Sequence, residues 1–285
     1  MLSNSFSWNI WLDITNIWQY SFMRNAFEAG TIVAIVAGIV GYFVVLRKLS
    51  FAAHALSHVG FAGAAGAVLI SINPLVGLLI FTSGGGLAMS ALGRKANNRD
   101  VQIGIVLAFM LGLGVLFISL YKGYATEAYS ILFGEILGIS SSNVIFTFII
   151  GILVILSIGV IYRKLLFASM DEDVAEAKGI STLKIGLLFM VILAFATAIA
   201  VQVVGVLLIF ALMVTPAAIA QRIANKPSEG IAISVIIAVI ATWVGLFVAY
   251  YLPYPVSFFI VSIVFGLYLI VRLIEFYKLR KQLVI

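Results

Sequence analysis

Runs of about 20 apolar residues, separated by short polar punctuation, repeat from residue 27 to residue 275. Each run is long enough to cross the ~30 Å hydrocarbon core of a bilayer as a helix. The pattern predicts spans at 27–46, 51–71, 74–92, 101–120, 143–162, 230–250 and 256–273. Arg47-Lys48, Asn73-Pro74, the loop GRKANNRD and Arg163-Lys164 mark their ends. Between Tyr121 and Ser142 the chain is more polar, yet the piece SILFGEILGIS within it is apolar enough to re-enter the membrane. The most hydrophilic stretch, LLFASMDEDVAEAKGIS, is followed by an apolar run from Thr182 to Ala224. That run is too long for one crossing and predicts a hairpin of two helices turning near Gln202. The sum is an all-α polytopic membrane protein with about nine transmembrane helices, bracketed by eight and ten.

Composition agrees with the pattern. The chain has 285 residues, 64% hydrophobic and 10% charged, with a mean hydropathy of +1.21. Such a chain is outside the range of soluble globular proteins, and no polar block is long enough for a separate soluble domain. Three units follow: an interfacial segment at 1–26 carrying Trp8, Trp11 and Trp18, a single transmembrane domain at 27–275, and a basic tail at 276–285. The first 21 residues lack the basic n-region and continuous apolar core of a cleavable signal. The formal net charge of +6 is explained by the positive-inside rule rather than by nucleic acid. With the C-terminal tail inside, nine crossings put every Lys and Arg except Arg24 and Lys122 on the cytoplasmic side, and the N-terminus outside.

The chemistry centres on Ser50 to Ala67, SFAAHALSHVGFAGAAGA, which holds both histidines of the molecule. His54 and His58 stand i, i+4 on one helical face, so both imidazoles reach one point in space. Ionisable groups at membrane depth are costly and line pathways or pair with one another, so a transported metal is favoured here over plain packing. With no cysteine, any metal is held by imidazole, carboxylate, carbonyl or water, and neutral imidazole suits zinc, copper, nickel and iron. Glu135, inside the apolar re-entrant piece, is a tentative third ligand; Glu28, Glu127, Ser57 and water remain open alternatives. Gly60, Gly63 and Gly66 on the same helix invite close approach of a neighbour. The acidic segment from Asp171 to Ile180 predicts a short helix capped by Asp171 and ended by Gly179, a docking element for a cytoplasmic partner. Its residues Asp171, Glu172, Asp173, Ala175, Glu176 and Gly179 form the predicted docking site. The chain carries no G-x-x-x-x-G-K-[ST], so energy from a nucleotide must come from a separate subunit. The lack of H-E-x-x-H and the small number of histidines count against an enzyme.

FVVLRKLSFAAHALSHVGFAGAA resembles the signature region of permease subunits of bacterial ABC importers for zinc, manganese and iron. DVQIGIVLAFMLGLGVLFIS, ILFGEILGIS, VVGVLLIFALMVTPAAIAQRI and YYLPYPVSFFIVSIVFGLYL agree with that family, and the resemblance extends over about residues 22–275. It implies a type II ABC importer-like permease in the bacterial plasma (inner) membrane. The implied partners are a second permease copy in a homodimer, two cytoplasmic ATPases engaging the loop after the fifth span, and an extracytoplasmic metal-binding protein. His58 matches the family histidine, while His54 stands where most members have aspartate. Imidazole in place of a hard carboxylate favours zinc as the transported ion over manganese. No covalently bound cofactor is expected. The rival reading is a secondary metal transporter driven by protonation of the two histidines.

Overall fold

The computed structural model describes residues 16–92, 99–121, 134 and 136–282, and among these there are helices and no strands. We number the helices α1 (Ser21–Leu46), α2 (Ser50–Leu69), α3 (Pro74–Leu92), α4 (Arg99–Leu120), α5 (Ser141–Met170), α6 (Glu172–Ala177), α7 (Thr182–Ile223), α8 (Pro227–Tyr251) and α9 (Val256–Gln282). Eight of them, all but the short α6, are long and apolar enough to cross a membrane. Most sequence-predicted counterparts coincide to within a few residues, but α1 already begins at Ser21, with Met23 and Ala26 buried, and α9 continues to Gln282, so the expected interfacial segment and basic tail are partly helical. Two other differences have physical causes.

The first concerns α5, which does not stop at Arg163-Lys164 but continues to Met170 with Leu165 and Ala168 fully buried. The two cations mark a change in polarity along the helix rather than its end. The second concerns α7. At 42 residues a straight helix would be about 63 Å long, twice the hydrocarbon thickness. The helical path breaks at Gly205, with φ 82° and ψ 166°, a conformation essentially reserved for glycine. The chain reverses there. On the 182–204 arm, Phe189 lies 6.2 Å from the Phe43 ring, near the end of α1. On the 206–223 arm, Gln221 Nε2 donates to the Tyr42 carbonyl at 2.9 Å, and Gly41 of α1 lies against the Met213 carbonyl. Both arms therefore return to the same end of α1, so among the described residues the eight long helices supply nine segments that run from one end of the bundle to the other. The turn falls three residues beyond Gln202, because the residue able to adopt the reversed backbone is Gly205.

α1 and the α7 hairpin form the centre of the bundle, and α2 packs into it on one side. Small residues set the helix spacings: Gly63 of α2 and Gly77 of α3 face each other so closely that a Cβ on either would overlap the other's carbonyl oxygen. This is the backbone-to-backbone packing by which membrane helices gain dispersion energy without a hydrophobic driving force. Ser234 of α8 adds an interhelical bond, its hydroxyl donating to the Gly38 carbonyl at 3.0 Å, a contact of about 0.6 kcal/mol in a membrane. At the end opposite Tyr42, Asn25 Nδ2 donates to the Ile139 carbonyl at 3.1 Å. The described part of the SILFGEILGIS piece is non-helical, with Ile136 and Ile139 buried. Gly134 rests on the Val204–Gly205 backbone at the hairpin tip, so irregular backbone is buried in protein, as a membrane protein requires.

Candidate functional site

His54 lies one turn into α2 and His58 one turn further on. Their rings meet edge to face, with centroids 4.7 Å apart and planes at 84°. Phe210, on the second arm of the α7 hairpin, covers His54 from the side at 5.0 Å. Both imidazoles are half-buried, whereas the flanking Ala53, Ala55, Leu56, Ser57 and Val59 are buried. The Nδ1 of His54 is buried and has no hydrogen-bond partner among the described residues. A buried ring nitrogen without a protein partner is costly. Ser57 is fully buried, and its hydroxyl donates to the His54 carbonyl at 2.6 Å. Glu28 is exposed on α1. Glu135 and Glu127 lie outside the described residues. Among the described residues no group of three or more His, Asp or Glu side chains converges, so the two imidazoles stand as a pair.

The acidic segment forms α6 as its sequence indicates. Asp171 Oδ1 accepts from the Val174 N–H at 2.9 Å, the N-cap geometry. The helix closes in a Schellman turn: the Ile180 N–H donates to the Ala175 carbonyl at 3.0 Å, the Gly179 N–H donates to the Glu176 carbonyl at 2.9 Å, and Gly179 has φ 78°. Ala175 is fully buried, the inward anchor of the helix. Asp171, Glu172, Asp173, Glu176 and Gly179 are exposed, as are the apolar Met170 and Val174 beside them. Lys178 lies 5.0 Å over the Phe167 ring and ties the segment back to α5.

Two features were not read from the sequence as parts of a site. Phe210 gives no periodic signal that would pair it with His54, because its position depends on the hairpin. Arg47, which reads as a span boundary, has a largely buried side chain, 7% exposed, wedged between the end of α5 and the start of α7.

A bundle of eight long apolar helices, with the paired-histidine helix packed beside its centre and an exposed capped helix between two spans, is the architecture of a multi-pass membrane protein. The chain belongs to the ABC 3 transport family, whose model matches residues 19–275. It is a multi-pass plasma-membrane permease of the manganese/zinc ABC importer class. It is 33% identical over 240 residues to the manganese transport system membrane protein MntC of Listeria monocytogenes, covering 84% of this chain and 85% of that one. It is 34% identical over 249 residues to the manganese import system permease protein ScaB of Streptococcus parasanguinis, covering 86% and 87%. The high-affinity zinc uptake system membrane protein ZnuB of Haemophilus influenzae is 26% identical over 231 residues, covering 80% and 88%. Among solved structures, PsaBC from Streptococcus pneumoniae in complex with Fab superposes with a TM-score of 0.83 at 31% identity, covering 92% of this chain and 95% of that one. An inward-facing metal-chelate type ABC transporter shares the fold, with a TM-score of 0.63 at 16% identity over 86% of this chain and 84% of that one.

Proposed function

We propose that this permease passes a divalent first-row metal ion, zinc in preference to manganese, inward past His54 and His58, driven by ATP hydrolysis on separate subunits. The observation that supports the metal path is the edge-to-face imidazole pair with His54 Nδ1 buried and unpaired. Two imidazole nitrogens supply half of a four-coordinate shell. With no third ligand converging among the described residues, the rest comes from water or from the pair of a second copy in a homodimer. The donor chemistry supports zinc, since imidazole ranks it above manganese, although two of the relatives above are named for manganese. Residues 27–275 act as the permease domain. The exposed acidic helix from Asp171 to Gly179 docks a cytoplasmic ATPase, and an extracytoplasmic metal-binding protein delivers the ion at the opposite face.

The test is a complex of permease, ATPase and binding protein reconstituted in vesicles. ATP-dependent uptake of zinc and manganese is measured singly and in competition. His58→Ala is expected to abolish uptake while the complex still assembles. Wild-type uptake in that variant removes the histidine pair from the path. Uptake driven by a proton gradient in vesicles holding the permease alone would replace the ATP-driven reading with a secondary transporter.

A further inference from the structure

We propose that Arg47 is the positioning residue that passes movement of the acidic helix α6 to the histidine helix α2. The proposal rests on the reading of α6 as the ATPase-docking element.

Arg47 follows the last residue of α1 and sits where three elements meet. Its Nη1 donates to the Ser169 hydroxyl at 3.2 Å, in the last turn of α5. Its Nη2 lies 4.0 Å from Glu172 Oε1, in the first turn of α6. Its guanidinium carbon stands 6.0 Å above the Phe189 ring of α7, close to Gly186, where an added Cβ would come within 3.6 Å of Nη2. α5 and α7 are the two helices that α6 connects, so one side chain fills the base of the whole α5–α6–α7 turn. The ion pair with Glu172 is weak by itself, because that carboxylate is 70% exposed and water screens it. The part-buried bond to Ser169 and the contact with the Phe189 face hold the guanidinium, and its planar fork allows it to engage several partners at once.

The other end of Arg47 is fixed as firmly. The Leu49 N–H donates to the Val44 carbonyl at 2.8 Å and the Lys48 N–H donates to the Val45 carbonyl at 3.1 Å, which closes α1 in a Schellman turn. Lys48 takes φ 55° there, a left-handed conformation unfavourable for a residue with a Cβ. Leu49, 2% exposed, then accepts from the Ala53 N–H at 2.9 Å and starts α2. This corner is determined by burial and hydrogen bonds together, so it moves as a unit. His54 is the residue that follows Ala53 in that first turn. A shift of α6 relative to α1 therefore reaches the histidine pair through the guanidinium and the corner, without an additional moving part.

The experiment uses the permease–ATPase complex with its binding protein in vesicles and reads manganese or zinc uptake per ATP hydrolysed, alongside ATPase co-purification. Arg47→Gln is expected to keep the ATPase bound and basal hydrolysis intact while uptake per ATP falls about tenfold, a usual size for coupling between separated sites. Arg47→Lys keeps the charge without the fork and should fall between the two. A complex that is merely destabilised would lose hydrolysis and uptake in proportion, leaving the ratio unchanged. An unchanged ratio in Arg47→Gln overturns the proposal, and so does loss of the ATPase from the complex, which would make Arg47 part of docking rather than transmission. Should Arg47→Gln fail to fold, the same two readings on Arg47→Lys decide: a lowered ratio with ATPase bound supports transmission, and a wild-type ratio overturns it. Failure of the docking reading itself shows up separately, as an Ala175→Pro complex that retains its ATPase.

Discussion

The proposed role of the histidine face in choosing the ion is tested at His54. The spacing of His54 and His58 was legible because i, i+4 on a helix leaves little freedom, and the rings do meet at 4.7 Å. His54→Asp replaces the imidazole with a carboxylate, the group that the resemblance to the importer family gives at this position. Carboxylate oxygen suits manganese better than imidazole does. The manganese-to-zinc uptake ratio is expected to rise about tenfold, equivalent to about 1.4 kcal/mol of discrimination. Competition uptake in vesicles checks it, and an unchanged ratio places selectivity elsewhere. The environment of the pair was not legible: Phe210 follows His54 by more than 150 positions in sequence and reaches it because the α7 hairpin brings its second arm back. Arg47 escaped for a related reason. A basic residue at the end of an apolar run reads as a membrane boundary, and its burial depends on α5 and α7, which arrive later in the chain.

At the scale of the element, α6 carries the most direct test. Its limits were readable because capping is local chemistry: Asp171 needs an N–H three residues on, and Gly179 supplies the left-handed turn. The Ala175 N–H donates to the Asp171 carbonyl at 3.1 Å. Ala175→Pro removes that donor and sets a ring against the preceding turn, at a local cost of about 3 kcal/mol. Because α6 packs chiefly on α5 and leaves its acidic residues exposed, the loss should stay local. The expected outcome is a permease that remains folded in detergent, shown by an unchanged elution profile, with ATPase co-purification sharply reduced. Retained ATPase and undiminished transport would reduce α6 to a connector and direct the search for a docking surface to the Gln221–Gly230 turn. The end of α5 shows the complementary limit of local reading: Arg163 and Lys164 signalled a boundary of polarity, but the helix runs on because Leu165 and Ala168 find a buried face.

For the whole molecule, the number of crossings turns on Gly205. If residues 182–223 made one pass, every later element would change sides, and the Gly179 and Asn225 segments would face opposite compartments. The paired contacts of both hairpin arms with Tyr42, Phe43 and Gly41 require the reverse. The ion pair between Arg222 Nη1 and Glu275 Oε2 at 2.6 Å joins the end of α7 to the last turns of α9, two crossings further on, so these two ends share one face. Because the chain contains no cysteine, single cysteines report topology without background. Ala177→Cys and Asn225→Cys should both react with a membrane-impermeant maleimide only after the cytoplasmic face is opened. Ser257→Cys, beyond the next crossing, should react in intact cells with the outer face accessible. Labelling of Asn225→Cys from outside would make α7 a single pass and reverse α8 and α9. It would also remove the basic C-terminal helix from the cytoplasm, against the charge distribution that places it there.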